Sequence, residues 1–135
     1  MVEKNIFKWP ITIYYEDTDV GGLVYHANYL KFFERARTEL LRSIGVSQQE
    51  LFKNKASFVI RHIDMDYLKG ARLDEQLIVQ TCVETVKKAS IIFCQDLVNN
   101  AGQSLCQATV KVACVNTETM KPTAIPQFIM SEISK

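Results

Sequence analysis

The residues best able to do chemistry lie in one stretch near the N-terminus, YYEDTDVGGLVYHANY at positions 14–29. It carries two aspartates, Asp17 and Asp19, next to Glu16, and one of the two histidines in the chain, His26. The pair Gly21–Gly22 between them predicts a tight turn. A carboxylate in such a turn can attack a carbonyl carbon or activate a water molecule. The stretch is therefore a candidate for acyl hydrolysis.

This stretch runs directly into a predicted helix that begins near Asn28. The first turn of a helix leaves backbone N–H groups unpaired and carries partial positive charge, so it stabilises an oxyanion. A carboxylate beside an oxyanion site is a sufficient set for hydrolysis of an acyl group. A second interpretation stays open, because acids before a helix are ordinary capping residues and a histidine there is often only packed or hydrogen-bonded.

The helix must be long, with one wide apolar face. Its apolar residues recur at helical spacing over positions 28–44: Tyr29, Phe33, Ala36, Leu40 and Ile44. Gly45 predicts its end, and a capping box at residues 47–50 predicts a short second helix over Gln48–Lys53.

The rest of the chain alternates with a period of two, which predicts strands. On the first long one, Val59, Ile63, Met65 and Tyr67 are expected to share a face. The predicted strands cover residues 7–15, the segment around 59–67, 77–86, 90–97 and 104–115, with a short last strand between Pro122 and Pro126. One apolar helix and an antiparallel sheet predict an α+β fold, and we expect a single domain over residues 1–135.

Composition excludes several classes of protein. The 135 residues carry 16 basic and 15 acidic side chains, so no basic footprint for nucleic acid is present. No apolar run reaches the length of a membrane helix, and acids occupy the N-terminal region where a signal peptide needs apolar residues. We therefore expect a cytoplasmic protein. The four cysteines form no C-x-x-C pair, which predicts small buried side chains and no metal site.

The motifs of the chain resemble those of a known family. The text YYEDTD-x-GG-x-VYH-x-x-Y continues into FFERARTE, and further matches are SQQ-L at 47–51, FVIR at 58–61, ARLDE at 71–75 and KPTAIP at 121–126. These segments resemble the 4-hydroxybenzoyl-CoA thioesterase family of the hotdog-fold superfamily. Within it they look most like the YbgC-type acyl-CoA thioesterases, which are associated with the Tol–Pal system.

The resemblance implies a fold, a reaction and a set of residues. The fold is a hotdog, a curved antiparallel sheet of five or six strands around one long helix. The reaction is hydrolysis of acyl-CoA, with short acyl chains expected and no cofactor or metal. Asp19 takes the role of catalytic carboxylate, as nucleophile or general base, and the backbone N–H of His26 polarises the thioester carbonyl. Tyr25 belongs to the loop that shapes the substrate site.

The resemblance also bears on substrate binding and assembly. Lys87 and Lys88 occupy the turn where the family often has cations for the nucleotide end of CoA, although two solvated lysines in a hairpin are the plainer interpretation. The family forms homo-oligomers, usually tetramers built as a dimer of dimers, with active sites at the dimer interface. An acyl carrier protein is an alternative acyl donor.

Two other functions compete with hydrolysis. Hydratases and dehydratases of the same fold carry D-x-N-P-x-H or H-F-P motifs, and neither occurs in this chain. A non-catalytic binder of acyl carriers would keep its affinity after Asp19→Asn, whereas a hydrolase would lose turnover.

Overall fold

The computed structural model describes residues 5–134, so the single domain expected over 1–135 extends beyond the described residues at both ends. Five strands form one antiparallel sheet: β1 (Phe7–Thr12), β2 (Ala56–Tyr67), β3 (Gln76–Val86), β4 (Ser90–Val98) and β5 (Ser104–Asn116). Their order across the sheet is β1-β3-β4-β5-β2. The first two strands in sequence are therefore the two edges.

The sheet packs against one long helix, α1 (Asn28–Ser43). Its buried face holds the residues that the apolar spacing selected, together with Phe32 and Leu41, while Ile44 is only partly buried. Gly45 follows with φ +87°, the left-handed conformation that favours glycine after a helix. A second helix, α2, covers Gln48–Lys53, and Ser47 caps it by accepting the N–H of Glu50 at 3.2 Å. The α+β hotdog prediction is confirmed.

One strand face differs from the prediction. The pairing of β2 with β5 shifts register between Ile60 and His62, because Arg61 is the extra residue of a bulge. A one-residue shift moves every later side chain to the opposite face. Phe58 before the bulge, and Ile63 and Met65 after it, therefore pack against the core.

Val59 does not share that face, so its predicted place beside Ile63 is wrong. It lies opposite Ala113, whereas Ile60 and Ile63 lie opposite the core residues Val112 and Val110. The predicted face therefore holds only for the residues after the bulge.

The two ends of the predicted strand list also differ. β1 ends at Thr12, and a three-residue 3-10 helix follows at Tyr15–Asp17. The predicted strand at 122–126 is wrong, since only an isolated bridge links Val115 with Pro122. Proline lacks the N–H that a ladder needs. Pro126 instead precedes a third helix, α3 (Gln127–Ile133), which buries Ile129 and Ile133 in the core.

Candidate active site

The loop before α1 folds back on itself. The N–H of Tyr25 donates to the carbonyl of Asp17 at 2.9 Å, and the N–H of Asp19 donates to the carbonyl of Leu23 at 2.9 Å. At the tip, Gly22 adopts φ +77° and donates its N–H to the carbonyl of Asp19 at 3.1 Å. The loop is thus a small hairpin with a glycine turn, as the adjacent glycines predicted.

This hairpin rests on the segment that precedes β3. The N–H of Val24 donates to the carbonyl of Ala71 at 2.9 Å, and the N–H of Leu73 donates to the carbonyl of Gly22 at 3.3 Å. The N–H of Ala71 in turn donates to the hydroxyl of Tyr29, in the first turn of α1, at 3.0 Å. The ARLDE motif therefore holds the loop and the helix start in one fixed arrangement.

The first aspartate of the loop, Asp17, has a structural role. The Asp17 side chain is buried, and its carboxylate accepts the N–H of Tyr14 at 2.9 Å. Its carbonyl accepts the side-chain amide of Asn28 at 3.2 Å, which ties the loop to the first residue of α1. The geometry thus gives Asp17 a structural role, but its carboxylate caps the short 3-10 helix at Tyr15–Asp17 and not α1, whose N-cap Ala27 has no side-chain cap.

The second aspartate, Asp19, is exposed at the tip of the loop. One oxygen of Asp19, Oδ1, accepts the N–H of Gly21 at 3.0 Å. Among residues 5–134, its other oxygen has no hydrogen-bond donor. Asp19 therefore presents a carboxylate that one backbone contact orients and whose second oxygen is available to react.

His26 lies where the loop meets α1, and its side chain is exposed. Its ring centroid is 4.5 Å from that of Tyr25, which is also exposed. The N–H groups on either side are used, because Tyr25 donates to Asp17 and Asn28 donates to the carbonyl of Tyr25 at 2.8 Å. In the described part of the chain the N–H of His26 has no acceptor. This open donor lies at the positive end of α1, where it can stabilise an oxyanion.

Tyr67, the last residue of β2, also belongs to this site, and the sequence assigned it only to an apolar strand face. Its hydroxyl donates to the carbonyl of His26 at 3.0 Å. Partial burial and the neighbouring Cys106 raise the pKa of the Tyr67 hydroxyl above its ordinary value. In the sequence, the one indication of this contact is that Tyr67, which ends an apolar strand face, carries a hydroxyl group.

Lys87 and Lys88 lie far from the loop within one protomer. β3 begins next to the segment that supports the loop and ends at these lysines, where the N–H of Lys87 donates to the carbonyl of Ser90 at 2.8 Å. The strand has 11 residues, so at about 3.3 Å per residue its ends are roughly 33 Å apart. The structure therefore brings Asp19, Tyr25 and His26 into one loop and leaves the two lysines, both exposed, at the other end of the sheet.

A groove of about 290 Å³ runs between α1 and the edge strand β2. Leu30, one helical turn from His26, lines it together with Ile60 and Ile63 of β2. Glu34 and Arg37 line it further along the helix. The apolar part of this groove suits the acyl part of a thioester.

In residues 5–134 no group of three or more histidine, cysteine, aspartate or glutamate side chains is placed to hold a metal ion, and no helix is long and apolar enough to cross a membrane. The cysteines lie on strands, as predicted, although Cys82 and Cys94 are only half-buried. Burial, with Asp96 and Asp66 nearby, raises the pKa of Cys106 to about 12, so this thiol is a poor nucleophile at neutral pH.

Comparison with known proteins places this loop in a family. The model of the thioesterase-like superfamily matches residues 14–133. The acyl-CoA thioester hydrolase YbgC of Escherichia coli O6:H1 is 45% identical over 99% of this chain and 100% of its own length. The acyl-CoA thioesterase YbgC of Haemophilus influenzae is 51% identical, over 93% of this chain and 92% of its own.

A solved structure agrees with these matches. The crystal structure of a probable thioesterase from Bartonella henselae superposes with a TM-score of 0.86 at 32% identity, covering 90% of this chain and all of the other. The fold, the loop and the full-length sequence matches lead to one conclusion: the chain belongs to the thioesterase-like superfamily and, within it, to the YbgC acyl-CoA thioesterases.

Proposed function

We propose that this protein hydrolyses acyl-CoA thioesters to a free acid and CoA. The observation that carries the proposal is the open N–H of His26 at the start of α1, on the same loop that exposes the Asp19 carboxylate. Hydrolysis needs a donor for the developing oxyanion and a carboxylate held near it. The activity named for the YbgC relatives supports the same reaction.

In the proposed reaction the thioester carbonyl oxygen accepts the N–H of His26. Acting as nucleophile, Asp19 adds to the carbonyl carbon, the carbon–sulfur bond breaks, and CoA leaves as a thiolate. Water then cleaves the resulting mixed anhydride and restores the carboxylate. Acting as general base, Asp19 instead takes a proton from the water that attacks the carbonyl. The tetrahedral intermediate then loses CoA as a thiolate, and Asp19 passes the proton on to that sulfur. Both routes use the same two groups.

We propose that the acyl chain enters the groove between α1 and β2, and that short chains fit best. Leu30 lies four residues after His26, or about 6 Å along the helix at roughly 1.5 Å per residue. Glu34 lies eight residues after His26, or about 12 Å by the same rise. A long saturated chain would have to lie against the Glu34 carboxylate and the Arg37 guanidinium, and such contact is unfavourable for apolar atoms.

A second copy of the chain completes this proposal. β2 is an edge strand. Exposed apolar side chains lie on the loop, on β2 and directly after β2, among them Val20, Ile60 and Leu68. If a two-fold axis pairs β2 with β2 of another copy in antiparallel fashion, the opposite ends of the two sheets become neighbours. The partner's lysine turn then lies at the end of the sheet that carries this protomer's His26.

The distance across the sheet from β2 to the partner's lysine turn is compatible with binding of the same CoA molecule. From β2 to β4 of the partner is three strand spacings, or about 14 Å at roughly 4.8 Å each. We therefore propose a homodimer in which Lys87 and Lys88 of one copy bind the CoA phosphates of the other copy's site, and a tetramer built from two such dimers. An acyl carrier protein as alternative donor, a cytoplasmic location and association with Tol–Pal stay predictions from the sequence.

The test is a panel of acyl-CoA substrates from acetyl to palmitoyl, with release of the CoA thiol as the measured quantity. Wild-type protein should act best on the short members. Asp19→Asn keeps the shape of the side chain and should lower kcat by about two to four orders of magnitude. Glu16→Gln is the matched control, since Glu16 is exposed on the same loop. Near wild-type activity of Asp19→Asn, or no activity of the wild type on any substrate, would contradict the proposal.

A further inference from the structure

The carbonyl of His26 is not held by the helix that follows it. In a regular helix it would accept the N–H of Leu30, four residues on. The N–H of Leu30 instead donates to the carbonyl of Ala27 at 3.3 Å. Within the described residues the hydroxyl of Tyr67, 41 positions away, is the donor that this carbonyl has, at 3.0 Å.

The two peptide groups that flank His26 are thus fixed by different parts of the molecule. The carbonyl of Tyr25, in the peptide that includes the N–H of His26, accepts the N–H of Asn28 at 2.8 Å. The next peptide, between His26 and Ala27, depends on Tyr67 of β2. Because a peptide group is planar, holding the His26 carbonyl also sets the direction of the Ala27 N–H. That N–H has no acceptor in residues 5–134 either.

The ring of Tyr67 is itself well placed. It meets the ring of His26 edge-on with a centroid distance of 6.5 Å and the ring of the buried Tyr29 with a distance of 5.5 Å. The bulge at Arg61 turns Tyr67 to the helix side of the sheet, since without it every later side chain of β2 would face the other way. The strand therefore delivers a hydroxyl to one peptide of the reactive loop.

We propose that Tyr67 is a positioning residue for thioester hydrolysis, because its hydroxyl fixes the His26–Ala27 peptide and so the open N–H of Ala27, which receives the thioester oxygen together with the N–H of His26. Tyr67 itself touches neither substrate nor reacting atoms in this assignment. The inference rests on the proposed function, and it adds a second donor, the N–H of Ala27, to that of His26. Oxyanion sites gain most from donors that are already oriented before the charge develops.

The variant Tyr67→Phe removes the hydroxyl and keeps the ring contacts. We expect kcat for a short acyl-CoA to fall about three- to tenfold, the effect of one neutral hydrogen bond, while KM changes less than twofold. Two control variants separate this effect from general damage. Tyr15→Phe removes a hydroxyl from an exposed side chain and should change nothing. Tyr29→Phe removes the hydroxyl that accepts the Ala71 N–H and should lower Tm more than Tyr67→Phe does.

A vibrational measurement reports on the donors directly. Acyl-CoA labelled with ¹³C at the thioester carbonyl is bound to Asp19→Asn, whose slow turnover leaves the substrate intact. Hydrogen bonds from the two N–H groups should lower the carbonyl stretching frequency relative to free acyl-CoA. Adding Tyr67→Phe should return part of that shift. A residue with a merely structural role would lower Tm and leave the band where it was.

The outcomes distinguish the two proposals. If the wild type releases no thiol from any acyl-CoA, the proposed function and this inference both fail. If the wild type is active while Tyr67→Phe matches it in kcat and in the carbonyl band, only the role of Tyr67 is overturned. A loss confined to KM would also overturn it, because a positioned oxyanion donor acts on the transition state more than on the bound substrate.

Discussion

Two sets of polar groups lie along α1. The groups of one set hydrogen-bond to one another, whereas the other set keeps groups that are open to a substrate. Beneath the middle of the helix, Arg37 Nη1 donates to Gln95 Oε1 at 2.9 Å, and Gln95 Nε2 donates to the Phe33 carbonyl at 2.9 Å and to Thr81 Oγ1 at 3.0 Å. The side chains of Arg37, Gln95 and Thr81 are buried. At the loop before the helix, His26 instead has an exposed side chain and a backbone N–H with no acceptor among residues 5–134.

The difference teaches how to separate structural polar groups from reactive ones. Burial lowers the pKa of Arg37, because removing water disfavours its charge, and Gln95 supplies the acceptor that the guanidinium needs. Such a network holds the helix to the sheet, and although Arg37 lines the groove, its guanidinium is already bonded to Gln95. In the loop, the internal hydrogen bonds fix the backbone conformation, and the His26 N–H and one oxygen of the Asp19 carboxylate stay accessible to a substrate. Changes in the first set should therefore affect stability, and changes in the second should affect rate.

The sharpest way to break this comparison is to remove the donor at His26. His26→Pro eliminates the N–H and should lower kcat by about 10²–10³, the usual effect of losing one oxyanion donor. His26→Phe keeps the N–H and an aromatic ring, so its loss should be moderate and smaller than that of Asp19→Asn. Thiol release gives the rates, and circular dichroism must show that both variants keep the wild-type fold.

The contrary result for His26 is also clear. If His26→Phe is as inactive as Asp19→Asn while its circular dichroism is unchanged, the imidazole is essential and the backbone donor is not the main contribution of this residue.

Sequence alone found the loop and most of the fold, for reasons that particular residues show. Helical spacing located α1, since burial of one face repeats every three to four residues. The bulge at Arg61 left no mark, because a period of two does not reveal one inserted residue. For the same reason the sequence could not tell which side of the sheet Tyr67 faces. Its contact with His26 joins positions 41 apart, and neither residue type predicts the other.

Two further features have the same character. The sequence predicts a short strand between Pro122 and Pro126, but not that α3 would follow and bury Ile129. Arg37 carries a charge that usually marks an exposed position, and only its tertiary partner Gln95 explains its burial. Local patterns predict elements, whereas the closure of a polar network depends on residues that the chain brings together from far apart.

The core network gives the complementary test. Gln95→Leu removes the acceptor of the Arg37 guanidinium and leaves a buried charge short of a partner, which should cost about 2–4 kcal/mol of unfolding free energy. Urea denaturation measures that loss. At temperatures where the variant is folded, kcat should stay within about twofold of the wild type. The control is Gln107→Leu at an exposed position of β5, where surface substitutions usually change stability by less than about 0.5 kcal/mol. A large fall in kcat of folded Gln95→Leu would contradict the distinction between polar groups that affect stability and those that affect rate.

The smallest expected effect concerns the lysines at the far end of the sheet. Lys87→Ala with Lys88→Ala should raise KM for acyl-CoA about three- to tenfold and leave kcat nearly unchanged, because contacts with the nucleotide are equal in the bound substrate and the transition state. The rise should shrink at high salt, since screening weakens exposed charges. Lys121→Ala is the control, being an exposed lysine outside the turn.

Within one protomer Lys87 and Lys88 are roughly 33 Å along the sheet from the loop. Mixing this double variant with Asp19→Asn therefore tests whether they serve a partner's site: mixed dimers would pair the intact lysines of the Asp19→Asn copy with the intact loop of the other copy. We expect KM of the mixture to return toward the wild-type value. A mixture that keeps the raised KM would contradict a role of the lysines in the partner's site, and an unchanged KM of the double variant alone would leave them as solvated lysines.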